Sequence, residues 1–258
     1  MNEHGSNWAQ YRFIIKELVI REFKRKYSRS FLGVIWSVLS PLLMMAVLSL
    51  IFTQLLGRDI PNFPVYVLTG IMIIQLFNNA TNAGMTTLVD NKNMLIKVKF
   101  PLEIFVLAKT CVAVVDFAFS LVAYVVILMV FRIPLSGYML FYPVVLLFLF
   151  FFTLGVSFVL SVAYVYFGDI KHLWSVVTMM LMWLSAVFWP IERLTGWPER
   201  IARANPMFNF INSSRQAIMW QQFPSFNQNL QMVTWSVVAF VIGWIIFRKN
   251  RVKILTKI

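Results

Sequence analysis

Six long apolar runs alternate with polar links along the chain, at roughly 34–56, 64–85, 105–131, 138–166, 173–190 and 232–248. A helix rises about 1.5 Å per residue, so crossing about 30 Å of hydrocarbon takes about 20 apolar residues. Each run therefore predicts a transmembrane helix. The third and fourth exceed a straight crossing and predict tilt or projection into water. The predicted fold class is an all-α polytopic membrane protein, one transmembrane domain over 1–258.

Ahead of the first run, residues 8–21 have a helical period. Trp8, Tyr11, Ile14, Ile15, Leu18 and Val19 fall on one side, and Arg12, Lys16, Glu17 and Arg21 on the other. A basic amphipathic helix of this kind lies in the headgroup plane. Residues 8–30 are therefore predicted as an interface helix. Glu22 and Lys26 then continue the apolar stripe, spaced in the favourable order for an ion pair along one helix. A lipid-facing stripe does not carry two charges. The helix is expected to meet protein there: this chain, a second copy or another subunit.

The links differ in kind. The 86–103 segment, TTLVDNKNMLIKVKFPLE, is short, basic and apolar by turns, and is ended by Pro101. By composition it suits an interfacial helix on lipid. The 191–231 stretch is half apolar, with Trp197, Ile201, Met207, Phe208, Phe210, Ile211, Ile218, Met219 and Trp220. Pro190, Pro198, Pro206 and Pro224 cut it into pieces. It predicts short outer helices that dip into the leaflet or overhang a pore mouth. Irregular backbone at that depth is tolerated only where protein or a wet cavity satisfies it.

Composition sharpens this picture. The chain is 60% hydrophobic and 13% charged, against about 25% charged for a soluble domain. Its 23 Lys and Arg outnumber 10 Asp and Glu. No polar stretch is long enough for a nucleic-acid module, so the excess reflects basic cytoplasmic loops. With the N-terminus inside, only Arg58, Arg132, Arg193, Arg200, Arg203 and Arg215 fall on outer segments. Both termini are thus expected in the cytoplasm. The first apolar run begins too late, and runs too long, for a cleaved signal peptide.

Candidate chemistry is sparse. Cys111 is the sole cysteine, which excludes an intrachain disulfide and a Cys-based metal site. There is no phosphate loop, no His-Glu-x-x-His and no Gly-x-Ser-x-Gly. No catalytic residue, metal ligand or cofactor is assigned, and the chain alone is not expected to bind ATP. Asp116 stands inside the third span, with Lys109 two turns earlier on nearly the same face. An intramembrane acid marks either a functional site or a polar helix contact. The second span ends polar, with Gln75, Asn78, Asn79, Thr81, Asn82, Thr86 and Thr87. Trp36, Phe77, Trp183, Phe188 and Trp189 lie in or at the ends of spans. They suit lipid-facing belts, or a pore wall on which sugar rings stack.

The stretch Arg21-Glu22-x-Lys24-x-Lys26-Tyr27-x-x-Ser30-x-Leu32-Gly33-x-x-Trp36-x-x-x-x-Pro41 resembles the start of the first span in ABC-2 type permeases. The branch it resembles exports lipid-linked polysaccharides such as O-antigen, capsule and teichoic acid. Phe167-Gly168-Asp169-Ile170 stands where the family usually has Phe-Arg-Asp, so the basic residue is missing here. Asn205-Pro206 followed by Arg215 resembles the family's outer segment, and Asp116 falls where an acid is common. The resemblance implies a homodimer with two copies of a separate ATP-binding subunit, in a bacterial cytoplasmic membrane. Glu22, Lys26, Lys92, Asn93, Met94 and Lys97 would contact that ATPase. Trp36, Phe77, Asn78, Asn82, Asp116, Trp183, Phe188 and Trp189 would line the path of the glycan. Trp197, Asn205, Pro206, Phe208 and Arg215 would form the outer gate. A permease for a drug or small lipid shares this fold. A membrane-embedded glycan transferase would need a clustered acid or His site, which the sequence lacks.

Overall fold

The computed structural model describes residues 3–28, 32–55, 60–97 and 101–257. Arg29, Ser30, Arg58 and Lys99 lie outside the described residues, as do the side chains of Trp8 and Lys97. Among the described residues, ten α-helices follow one another. They are α1 (Glu3–Tyr27), α2 (Ile35–Leu55), α3 (Phe63–Asp90), α4 (Lys92–Lys97) and α5 (Glu103–Val130), then α6 (Tyr142–Tyr166), α7 (Ile170–Leu184), α8 (Trp197–Ala204), α9 (Pro206–Ile218) and α10 (Phe226–Lys257). A 3₁₀ turn at Gly137–Phe141 leads into α6, and another, Ile191–Arg193, precedes α8. The described residues contain no strand.

Among the described residues, four helical stretches are long and apolar enough to cross a membrane: Phe63–Asp90, Glu103–Val130, Gly137–Tyr166 and Phe226–Lys257. α7 is a shorter apolar helix. The run expected over 173–190 begins earlier and stops at Leu184, because the backbone then turns: Ala186 has φ 51° and Pro190 follows. The 15 residues of α7 span only about 22 Å at 1.5 Å each. In contrast, α3 and α10 run past their apolar runs by about a turn or more at the C-terminal end.

α3 is the central helix, buried along most of its length and packed on α2, α5, α6 and α9. Pro64 stands in its first turn, where a missing N–H costs nothing. Pro41, inside α2, removes one helical donor. The carbonyl this frees, on Ser37, accepts instead from Ser120 Oγ of α5 at 2.7 Å. A break in one helix thereby becomes a contact between two.

α6 and α10 pack along one another through glycine. A Cβ on Gly155 would run into the backbone of Ala239 and Phe240, and one on Gly243 into that of Gly155. Ser236 Oγ of α10 donates to Phe148 O of α6 at 2.9 Å. A second core cluster lies where α1 and α4 meet α5, α6 and the far part of α10. Ile14 and Leu18 are buried in it with Leu95, Phe105, Phe158 and Ile254. The apolar stripe of α1 therefore faces protein, whereas the opposite side leaves Phe13 and Ile20 exposed.

Candidate functional site

The α1 stripe places its two charges against α5. Leu18 and Glu22 are one helical turn apart on the same side, so the packing that buries Leu18 also buries Glu22. Glu22 Oε2 accepts from Lys109 Nζ at 2.5 Å, and Oε1 from Arg21 Nη2 at 2.9 Å. Burial pushes the Glu22 carboxyl up, but the bonds and charges of Lys109, Arg21 and Arg25 outweigh it and hold the group below the usual glutamate value. Two turns along α5, Asp116 is also buried. It accepts from Lys26 Nζ at 2.5 Å and from Tyr27 OH at 2.8 Å. The Glu22–Lys26 pair expected from spacing is therefore not formed, and neither is one between Lys109 and Asp116. Each residue crosses to the other helix instead. Of the three partners open to α1 at the sequence level, this chain supplies the contact.

Beside this double clamp lies a recess walled by both polar and apolar groups. Two adjoining clefts of about 240 and 470 Å³ share Lys26, Asn79, Ala113 and Asp116 in their walls. Trp36, Ser37 and Gln75 line the first; Arg25, Asn82, Thr86 and Lys171 line the second. Trp36, Asn82 and Asp116 thus come together. Asn82 Nδ2 donates to Asn78 O at 2.8 Å, holding the exposed amide on the face of α3. Phe77 is elsewhere, buried between Phe152 and Trp174 with ring centroids at 5.6 and 5.9 Å. Trp183 is half-exposed on α7 and packs edge-on against Phe188, which is buried.

Lys92 and Asn93 are exposed on α4, and Met94 is partly covered. Arg21 reaches them from α1: its Nη1 lies 3.1 Å from Met94 Sδ and its Nη2 2.9 Å from Asn91 Oδ1. Lys97 ends the helix.

The outer segment is built around Arg215. Its guanidinium is fully buried and donates only to backbone: Nε and Nη2 to Tyr66 O at 3.2 and 3.0 Å, Nη1 to Ala186 O and Nη2 to Val187 O at 2.9 Å each. It lies over the Tyr66 ring at 3.3 Å from the centroid. Tyr66 OH in turn donates to Trp189 O at 3.0 Å. Gly70 leaves the room; a Cβ there would stand 2.9 Å from Nη2. Arg215 therefore ties the start of α3 and the turn after α7 to α9. Asn205 caps α9, accepting from Met207 N at 2.9 Å and donating to Ser185 Oγ at 2.9 Å. Pro206 fills the first helical position. Phe208 packs with Ala186, Ile191 and Ala202, while Trp197 stands exposed at the start of α8.

Sequence reasoning singled out Glu22, Asp116, Asn205 and Arg215, which the structure buries and hydrogen-bonds. It missed Arg21 as a bridge, Lys109 as the partner of Glu22, Tyr66 as the seat of Arg215, and Ser185. Lys109 carried a signal, being a cation inside an apolar run. Tyr66 carried none, because its carbonyl and ring do the work.

The sequence is similar along most of its length to those of known permeases and transport proteins. The chain is 28% identical over 244 residues to the O-antigen export system permease protein RfbA of Myxococcus xanthus, covering 94% of each chain. It is 22% identical over 241 residues to the capsule polysaccharide export inner-membrane protein CtrC of Neisseria meningitidis serogroup B, covering 91% of this chain and 90% of that one. Over 258 residues it is 18% identical to the polysialic acid transport protein KpsM of Escherichia coli, covering 97% of this chain and 98% of that one. The family profile described as ABC-2 type transporter matches residues 14–219, a stretch that holds the α1–α5 clamp, the recess and the Arg215 seat alike, and the chain belongs to that family.

Proposed function

We propose that this chain is the permease subunit of an exporter that carries a lipid-linked envelope polysaccharide across the bacterial cytoplasmic membrane. The observation that carries this reading is the nearly end-to-end likeness to permeases named for O-antigen and capsule export. The chain works as a homodimer with two copies of a separate ATP-binding subunit, and both termini face the cytoplasm. α4 docks the ATPase through Lys92, Asn93, Met94 and Lys97, with the clamped end of α1, Glu22 and Lys26, beside it. Trp36, Asn78, Asn82 and Asp116 lie on the inner part of the path, and Trp183 and Trp189 on the outer part. Phe77 and Phe188 back that wall from the core. The pieces around Trp197, Asn205, Pro206, Phe208 and Arg215 close the outer end.

A recess of mixed polar and apolar wall with one exposed indole suits hydroxyl-rich rings, whose edges hydrogen-bond and whose faces stack. Deleting the chain from its host should remove a surface glycan and leave the lipid-linked polymer at the cytoplasmic face. Restoring it should return the glycan. Normal glycan display, with a gain in sensitivity to a small amphiphile, would instead assign export of a drug or small lipid. Conversion of a lipid-linked sugar by the isolated chain would point to a transferase.

A further inference from the structure

The segment read as the ATPase dock packs on the bundle through Leu95, and one side chain, Arg21, adds a polar tie to it. Arg21 Nη2 stands 2.9 Å from both Glu22 Oε1 and Asn91 Oδ1, and Nη1 stands 3.1 Å from Met94 Sδ. Asn91 closes α3, and its Nδ2 donates to Thr87 O at 2.8 Å, which turns its oxygen toward Arg21. Behind Arg21, the other oxygen of Glu22 holds Lys109 of α5 at 2.5 Å. A continuous polar line therefore runs from α4 through Arg21, Glu22 and Lys109 to α5.

An exposed ion pair ordinarily contributes little. This one differs in its acceptors. The Glu22 side chain is 5% exposed and Asn91 is 7% exposed, so both depend on the donors the fold supplies. The neighbouring cations are not substitutes. Arg25 stays 3.9 Å from Glu22 and largely exposed, and Lys26 is bound to Asp116. Only a planar fork reaches three acceptors at once; an ammonium on a shorter reach does not.

We infer that Arg21 is a positioning residue for transport. It holds α4 against α1, and through Glu22 against α5, so that displacement of α4 moves α5 rather than being absorbed at the corner between α3 and α4. The inference rests on the reading of α4 as the ATPase dock.

Two measurements test it. In the first, the isolated chain carries a nitroxide at Asn93→Cys in a Cys111→Ser background, in lipid nanodiscs. Arg21→Gln should sharpen the label's spectrum, Arg21→Lys should do so partly, and the control Arg25→Gln should leave it unchanged. An unchanged spectrum in Arg21→Gln overturns the tether. In the second, the assembled complex is reconstituted. Arg21→Gln should lower export about tenfold, the size of an ordinary coupling free energy, while ATP hydrolysis stays within about twofold. Parallel loss of both, or loss of neither, overturns the transmission role. A wild-type complex that exports no glycan overturns the function proposed above and shows before any variant is read; the label experiment needs no ATPase and still decides the tether.

Discussion

Arg215 is a cation whose seat is made entirely of carbonyl oxygens and one ring. An arginine suits this because its donors are fixed in a plane and its charge is weakly hydrated. Replacing it with Met leaves the carbonyls of Tyr66, Ala186 and Val187 short of donors. Arg215→Met should cost about 3 kcal/mol, a few times one unmade buried hydrogen bond, read as thermal unfolding in detergent. Arg215→Lys should recover only part of this, since one ammonium cannot span acceptors on two segments. Gly70→Ala should reproduce a milder form, because its Cβ would stand 2.9 Å from Nη2. Glu22 yields a pH dependence. Its carboxyl is held below the ordinary value of 4.5, so its contribution is full above that value and is lost as pH falls through the lowered one. The melting temperature of the wild type should therefore drop on acidification below 4.5 more steeply than that of Glu22→Gln. Equal slopes would remove Glu22 from the account.

At the level of elements, α1 was only half legible. Its period and its two interrupting charges were plain in the sequence, and they correctly placed protein beside Glu22. What the stripe faced was not readable, because an apolar stripe looks the same whether lipid or a helix covers it. The buried Ile14 and Leu18 settle this in favour of protein. Breaking the clamp tests the point: Lys109→Met leaves a carboxylate at 5% exposure short of its nearest cation. That should cost about 3 kcal/mol, as breaking a buried pair does. Proteases should then cut between α1 and α2 faster than in the wild type. The ends of α5 and α6 were legible to about a turn, whereas α10 begins before its apolar run, just after Pro224, and continues through the basic residues beyond it. The early end of α7 was not legible, because Ser185 to Trp189 are as apolar as a span; only the left-handed turn at Ala186 and the bonds to Arg215 end the helix there.

For the whole molecule, burial is uneven. α3 is enclosed, whereas α7 touches its own chain at few points and keeps only Thr178 buried. Val176, Met180 and Trp183 stand open on it. In the proposed homodimer this is the helix free to meet a second copy. Met180→Cys in a Cys111→Ser background should give a disulfide-linked dimer in native membranes. A monomer on the gel, with the thiol still open to a lipid-soluble reagent, would set α7 against lipid instead.

The backbone contact between Gly155 and Gly243 has a mechanical meaning. With no side chain between them, α6 and α10 cannot slide along one another without lifting apart, and the hydrogen bond from Ser236 to Phe148 pins the register. The two helices act as a stator. A single bulky residue at either glycine would force the two backbones apart and turn the stator into a loose joint.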